Sequence, residues 1–224
     1  MQWVFAMVMV VFLSGIFVMA KSGSYAYRDT QTGLLFPDRL DERVFVSVDT
    51  YELPSAGYRL LYTDADPSRE WKANIYVYQG GVDTIPDGHQ DRTVKDEMIM
   101  VIDSIRKAES LDMYRNVSLE DAAVFPDQGT IRFLRQGLTM EFPAGPVPAA
   151  RYVSELFLVG YCQRFVKVRI TYRQSEFSAE TARIEPFMRS LIDVLVSCDP
   201  LNSPVNRYIL GAIKRFRRTR TLDG

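Results

Sequence analysis

The sequence predicts an α+β domain, a mainly antiparallel sheet of six to seven strands carrying two principal helices. Three observations predict it. Short runs with period-2 apolar alternation are separated by turns too short to hold crossover helices. Two longer stretches repeat apolar residues at helical spacing. The 12 Tyr and 13 Phe favour a pleated, half-buried surface.

The chain opens on Trp3 to Ala20, an uncharged apolar run interrupted by Ser14 and Gly15 and closing on Val18-Met19-Ala20 before Lys21. Small residues at the positions a signal peptidase reads make residues 1–20 a secretory signal peptide. A bilayer-spanning helix needs roughly 17 to 25 apolar residues, so an uncleaved anchor formed by residues 3–20 is the alternative. Residues 21–42 are polar and Gly-containing and read as a flexible leading segment.

Organised patterning starts at Arg43. Val44, Val46 and Val48 share one parity and predict a half-buried strand. A turn at 54–57 leads to a strand at 58–63, and a turn at 64–68 leads to a third at 71–79, with Ala73, Ile75 and Val77 on one side. These three form an antiparallel meander. Gly80 to Asp91 is a loop by composition. The helix after it starts with Thr93 as cap and Asp96 three residues on; Val94, Met98, Val101, Ile102, Ile105 and Ala108 make its apolar stripe.

Strands follow over 114–125 and 129–142, the second with a bulge at Gly137. Two arms at 151–159 and 164–172 flank a four-residue loop, with Val166, Val168 and Ile170 inward and Lys167, Arg169 and Thr171 outward. The last helix runs from about Ser178 to Ser197, with Ile184, Met188, Leu191, Leu195 and Cys198 on one face. Pro186 either kinks it or moves its start to Glu185. Residues 43–199 thus make a single domain and 200–224 a basic C-terminal tail.

The amino-terminal meander, the capped helix at Thr93 and the FVKVRITY strand (165–172) give an element order that resembles the PsbP-like fold. That fold is shared by the photosystem lumenal PsbP proteins, a Ran-binding nuclear import factor and small bacterial envelope lipoproteins. The resemblance covers Arg43 to Ser197, is one of topology, and implies an α/β sandwich. It transfers no residue's role, and fold alone assigns no function.

A net charge of −1, from 27 basic and 28 acidic residues, argues against a nucleic-acid binder. The single histidine, His89, stands between Asp87 and Asp91, where a carboxylate could orient it as a general base. An exposed loop histidine beside solvated acids is the plainer reading, and no Gly-x-Ser-x-Gly elbow accompanies it. One His leaves no multi-His metal site. Asp83, Asp87 and Asp91 do not match a calcium loop with ligands at alternate positions, so neither metal nor cofactor is expected. Cys162 and Cys198 are an even pair that an oxidising compartment would bridge as a disulfide; buried free thiols are the alternative.

Trp71, Tyr76 and Tyr78 are a candidate platform for a ligand or partner, with packing beneath helices on both sheet faces as the alternative. In the tail, Ile209, Ile213 and Phe216 align on a helix, with Lys214, Arg215, Arg217, Arg218 and Arg220 clustered behind them. Such a segment suits an anionic membrane surface or an acidic partner; a solvated tail is the alternative. The function expected is that of a non-enzymatic, extracytoplasmic binding or accessory protein, periplasmic in a bacterium, with a protein or small-molecule partner. A small carboxylate-dependent hydrolase and a membrane-tethered structural protein are the alternatives. The hydrolase predicts carboxylates converging in a pocket; the binding module predicts an exposed apolar or aromatic patch.

Overall fold

The computed structural model of the chain describes residues 25–143 and 150–197. A short pair, β1 (Tyr25–Arg28) and β2 (Leu35–Pro37), precedes β3 (Arg39–Leu40), β4 (Arg43–Thr50), β5 (Tyr58–Thr63) and β6 (Lys72–Tyr78). Helix α1 (Arg92–Ser110) leads to β7 (Arg115–Leu119), β8 (Ala123–Phe125), β9 (Phe133–Glu141), β10 (Arg151–Tyr161) and β11 (Arg164–Arg173), and α2 (Phe177–Ser197) follows. The strands β3 to β11 build one nine-stranded antiparallel sheet in the order β3-β4-β5-β6-β11-β10-β9-β7, with β8 also on β9. The α+β class is as predicted, with more strands than the six to seven expected.

Residues 25–40 account for part of the difference and correct the flexible leading segment. Leu34, Phe36 and Leu40 are buried in the main core, and Tyr27 stacks on Tyr58 with ring centres 4.8 Å apart. Asp29 accepts hydrogen bonds from the Thr32 hydroxyl at 2.5 Å and from Tyr58 at 3.1 Å, folding a polar loop onto the sheet. The sparse apolar residues of this stretch are the ones that are covered, so its polarity hid its role.

Parity assigns the two sheet faces. Ala73, Ile75 and Val77 of β6 share a face with Val166, Val168 and Ile170 of β11 and with Val153, Phe157 and Val159 of β10, under α2. Ile184, Phe187, Met188, Leu191 and Leu195 supply the helix side. The helix starts at Phe177 and runs through Pro186, rather than starting at Glu185. On the other face α1 lays Val94, Met98 and Ile105 over Leu156 and Leu158 of β10 and Leu138 and Met140 of β9. Its cap is Asp91, whose carboxylate accepts from Thr93 N–H at 2.8 Å, rather than Thr93 itself. Asp96 instead pairs with Arg92 at 3.3 Å.

Three local predictions are corrected. The β4–β5 register shifts between Phe45 and Ser47, so Phe45 and then Val48 pack on the core while Val46 is left 52% exposed. Gly137 lies in unbroken register opposite Glu155, and its missing side chain leaves room for the Glu120 carboxylate. The β10–β11 hairpin turns on two residues instead of four. Cys162 and Gln163 both take positive φ, 50° and 59°, as a type I′ turn requires. The loop before α1 is tied to that turn: Cys162 N–H donates to Asp87 at 2.8 Å, and Ile85 N–H donates to the Gln163 side chain at 3.1 Å.

Among the described residues no helix is long and apolar enough to cross a membrane. The leader (1–20), Cys198 and the tail (200–224) with Lys214, Arg215, Phe216, Arg217, Arg218 and Arg220 lie outside the described residues.

Candidate functional site

Helix α1 buries Leu156 and Leu158 of β10 and Leu138 and Met140 of β9, while Tyr76, Lys167 and Arg169 on the same face of β6 and β11 are only half-buried. The result is a groove of about 290 Å³ along the helix. Its floor is Tyr76 of β6, Lys167 and Arg169 of β11 and Leu156 of β10; its wall is one side of α1 from Glu97 to Ala108, and Tyr114 closes one end. The floor follows from register: Lys167 lies opposite Tyr76 on one side and Leu158 on the other, while Arg169 lies opposite Asn74 and Leu156.

The Lys167 ammonium sits 4.6 Å from the centre of the Tyr76 ring and 5.2 Å from that of Tyr78, a cation–π arrangement. Burial holds it below the usual lysine range, with nearby Glu97 pulling it up and Arg169 pushing it further down. Arg169 donates to Ser154 Oγ at 3.0 Å, the Tyr114 hydroxyl at 3.3 Å and Met140 Sδ at 3.3 Å, and lies 5.4 Å from the Tyr114 ring centre. All of these partners are neutral. Among the described residues neither cation has a carboxylate within ion-pair distance. Glu97, the acid of the groove, accepts instead from the Tyr78 hydroxyl at 2.6 Å. Burial, and then that bond, push the Tyr78 phenol far above its ordinary value and keep it a donor.

Several other cations of the domain are matched by carboxylates. Arg43, 1% exposed, donates to Asp64 at 2.6 Å and to Glu180 at 3.3 Å, and its guanidinium lies 4.2 Å from the Trp71 ring centre. Arg183 and Arg69 approach the same Asp64 at 3.1 and 3.5 Å. Arg135 grips Glu155 through two bonds of 2.9 Å. Arg132 and Arg164, half-buried like Lys167 and Arg169, also have neutral hydrogen-bond partners, but Lys167 and Arg169 stand side by side in one groove.

The predicted platform is therefore split. Trp71 is fully buried under α2, on the face of Ala73 and Ile75, and is no exposed platform residue. Tyr76 and Tyr78 lie on the opposite face, and only Tyr76 lines the groove. Asp87 accepts from Cys162 N–H and Asp91 caps α1, and among the described residues neither carboxylate is hydrogen-bonded to His89. Burial, followed by the charges of Arg132 and Lys95, lowers its affinity for a proton. Asp64 and Glu180 are the convergent carboxylates, and arginines occupy them. Among the described residues no set of three or more His, Cys, Asp or Glu converges as metal ligands would. Cys162 packs half-buried against the α2 core; its proposed partner, Cys198, is outside the described residues.

Lys167, Arg169 and Tyr114 were not marked as site residues from the sequence. The signal was present: two cations alternate with three β-branched residues, so the face called outward carried charge beside a helix that needed a sheet to lie on.

No protein-family model matches the chain, and no curated protein matches it. Among solved structures it is similar to the solution structure of cyanobacterial PsbP from Synechocystis sp. PCC 6803, at 14% identity over 77% of this chain and 88% of that one, with a TM-score of 0.39. The likeness is one of topology and assigns no residue a role.

Proposed function

We propose that the chain is a non-enzymatic binding or accessory module, sent out of the cytoplasm by residues 1–20, that holds an anionic group in the α1 groove. One observation carries this reading: Lys167 and Arg169 share a half-enclosed groove and have only neutral or aromatic partners. Positive charge withdrawn from water costs free energy unless it is paired, and Arg43 and Arg135 show the paired arrangement, each held by carboxylate. An anion entering the groove supplies the missing counter-charge.

Thermal unfolding in the presence of small anions tests the site. Binding of a carboxylate or phosphate at a hundred times its Kd adds about 2.7 kcal/mol to stability, and Lys167→Met removes that gain. Equal protection of wild type and variant, or none in either, would end the proposal. Mass spectrometry of the protein recovered from its cell tests export: a mature terminus at Lys21 supports it, and a terminus at Met1 favours the membrane-tethered alternative.

A further inference from the structure

The two sides of the groove differ in chemistry, and the difference specifies more than a charge. The geometry points to a short aliphatic acid as the ligand class, its carboxylate on Lys167 and Arg169 and its chain along α1. It rests on the anion-binding reading above.

Three observations support the class. The two cations are two residues apart on one strand, about 7 Å along it, so one head group placed between them reaches both. The helix side offers Met100, Val101 and Ile105, and Leu156 continues that apolar surface across the floor; burying a methylene there gains roughly 0.8 kcal/mol. The lining runs from Glu97 to Ala108, a three-turn length of about 16 Å at 1.5 Å per residue. That length, with a volume of about 290 Å³ at the small end for ligand sites, fits a linear chain better than a fused ring. Met100 is 63% exposed at the rim, a large apolar side chain left uncovered where the chain of such an acid would lie. Glu97, tied to Tyr78 and close enough to Lys167 to raise its proton affinity, already adds one negative charge beside the two cations, which favours a single carboxylate over a polyanion.

The test separates head from chain on the full-length protein. Octanoate, acetate, octanol and inorganic phosphate are titrated while the Met100 methyl resonance and the melting temperature are followed. Octanoate is expected to bind at least ten-fold tighter than any of the other three and to shift the Met100 methyl. Lys167→Met weakens octanoate at least ten-fold, and Lys167→Arg restores it. Met100→Ser, at an exposed position that leaves the core intact, weakens octanoate and leaves acetate unchanged. If acetate or phosphate binds as tightly as octanoate, the aliphatic class is overturned and the anion site stands. If octanol matches octanoate, or if none of the four binds, both fall.

Discussion

Lys167 and Tyr76 face each other directly across the β6–β11 ladder, and the lysine ammonium lies 4.6 Å from the centre of the tyrosine ring. An aromatic face is a weak substitute for a carboxylate, worth about 0.5–2 kcal/mol. The pair therefore stabilises the folded position of a cation without neutralising it.

That imbalance predicts a pH dependence. Burial depresses the folded-state proton affinity of Lys167, with Arg169 adding to the effect and Glu97 opposing it. In the window between the folded value and the ordinary lysine value, the unfolded chain binds more protons, so stability rises with pH there. Urea unfolding of wild type and Lys167→Met at increasing alkaline pH should show wild type gaining on the variant. Parallel stability curves would refute the assignment.

The Arg43 cluster predicts a large loss from a single change. Arg43→Met keeps an apolar chain over Trp71 but leaves Asp64 and Glu180 buried with less counter-charge. Breaking a buried pair from one side costs about 3–5 kcal/mol. Glu180→Gln should cost less, because Asp64 still holds Arg43 at 2.6 Å. Equilibrium denaturation that ranks the two variants in the reverse order would contradict the account.

Gly160 is fixed by a close approach of two backbones. It exchanges hydrogen bonds with Gly88, 2.8 and 3.0 Å long, and a Cβ on it would overlap the Pro86 carbonyl oxygen. Gly160→Ala should cost about 1–3 kcal/mol and release residues 80–91 from the sheet. Faster amide exchange at Gly88 is the measurement; unchanged exchange would show that the contact yields easily.

The domain begins before Arg43. Leu34, Phe36 and Leu40 are buried to within 1%, and each contributes roughly 1.5–3 kcal/mol when removed from water. Against a total stability of about 5–15 kcal/mol, a chain starting at Arg43 should lose its cooperative transition, while one starting at Lys21 keeps it. Circular dichroism melts of the two decide the point, and matching melts would return residues 25–42 to a peripheral role.

Periodicity made the class, the order of the long elements and both sheet faces legible. Ala73, Ile75 and Val77 needed only their parity to be placed opposite Tyr76 and Tyr78. The same parity, applied to Trp71, already put it on the buried side, so grouping the three aromatics together overlooked a rule in hand. Val46 failed for a different reason. A bulge changes the face of every residue after it, and nothing in RVFVSVDT marks one. The candidate site was half visible: Lys167 and Arg169 were correctly on the second face. Which part of that face α1 would leave uncovered depends on helix placement, a property of tertiary packing that residue spacing does not encode.

The link from Arg43 to Glu180 spans 137 positions, which sets a schedule for the growing polypeptide. A guanidinium at position 43 waits for a carboxylate made 137 positions later, and Leu40 waits with it for α2. Until then no amino-terminal fragment contains a finished interior. Contacts so distant along the chain slow folding, and the domain is expected to assemble only once α2 is free to join.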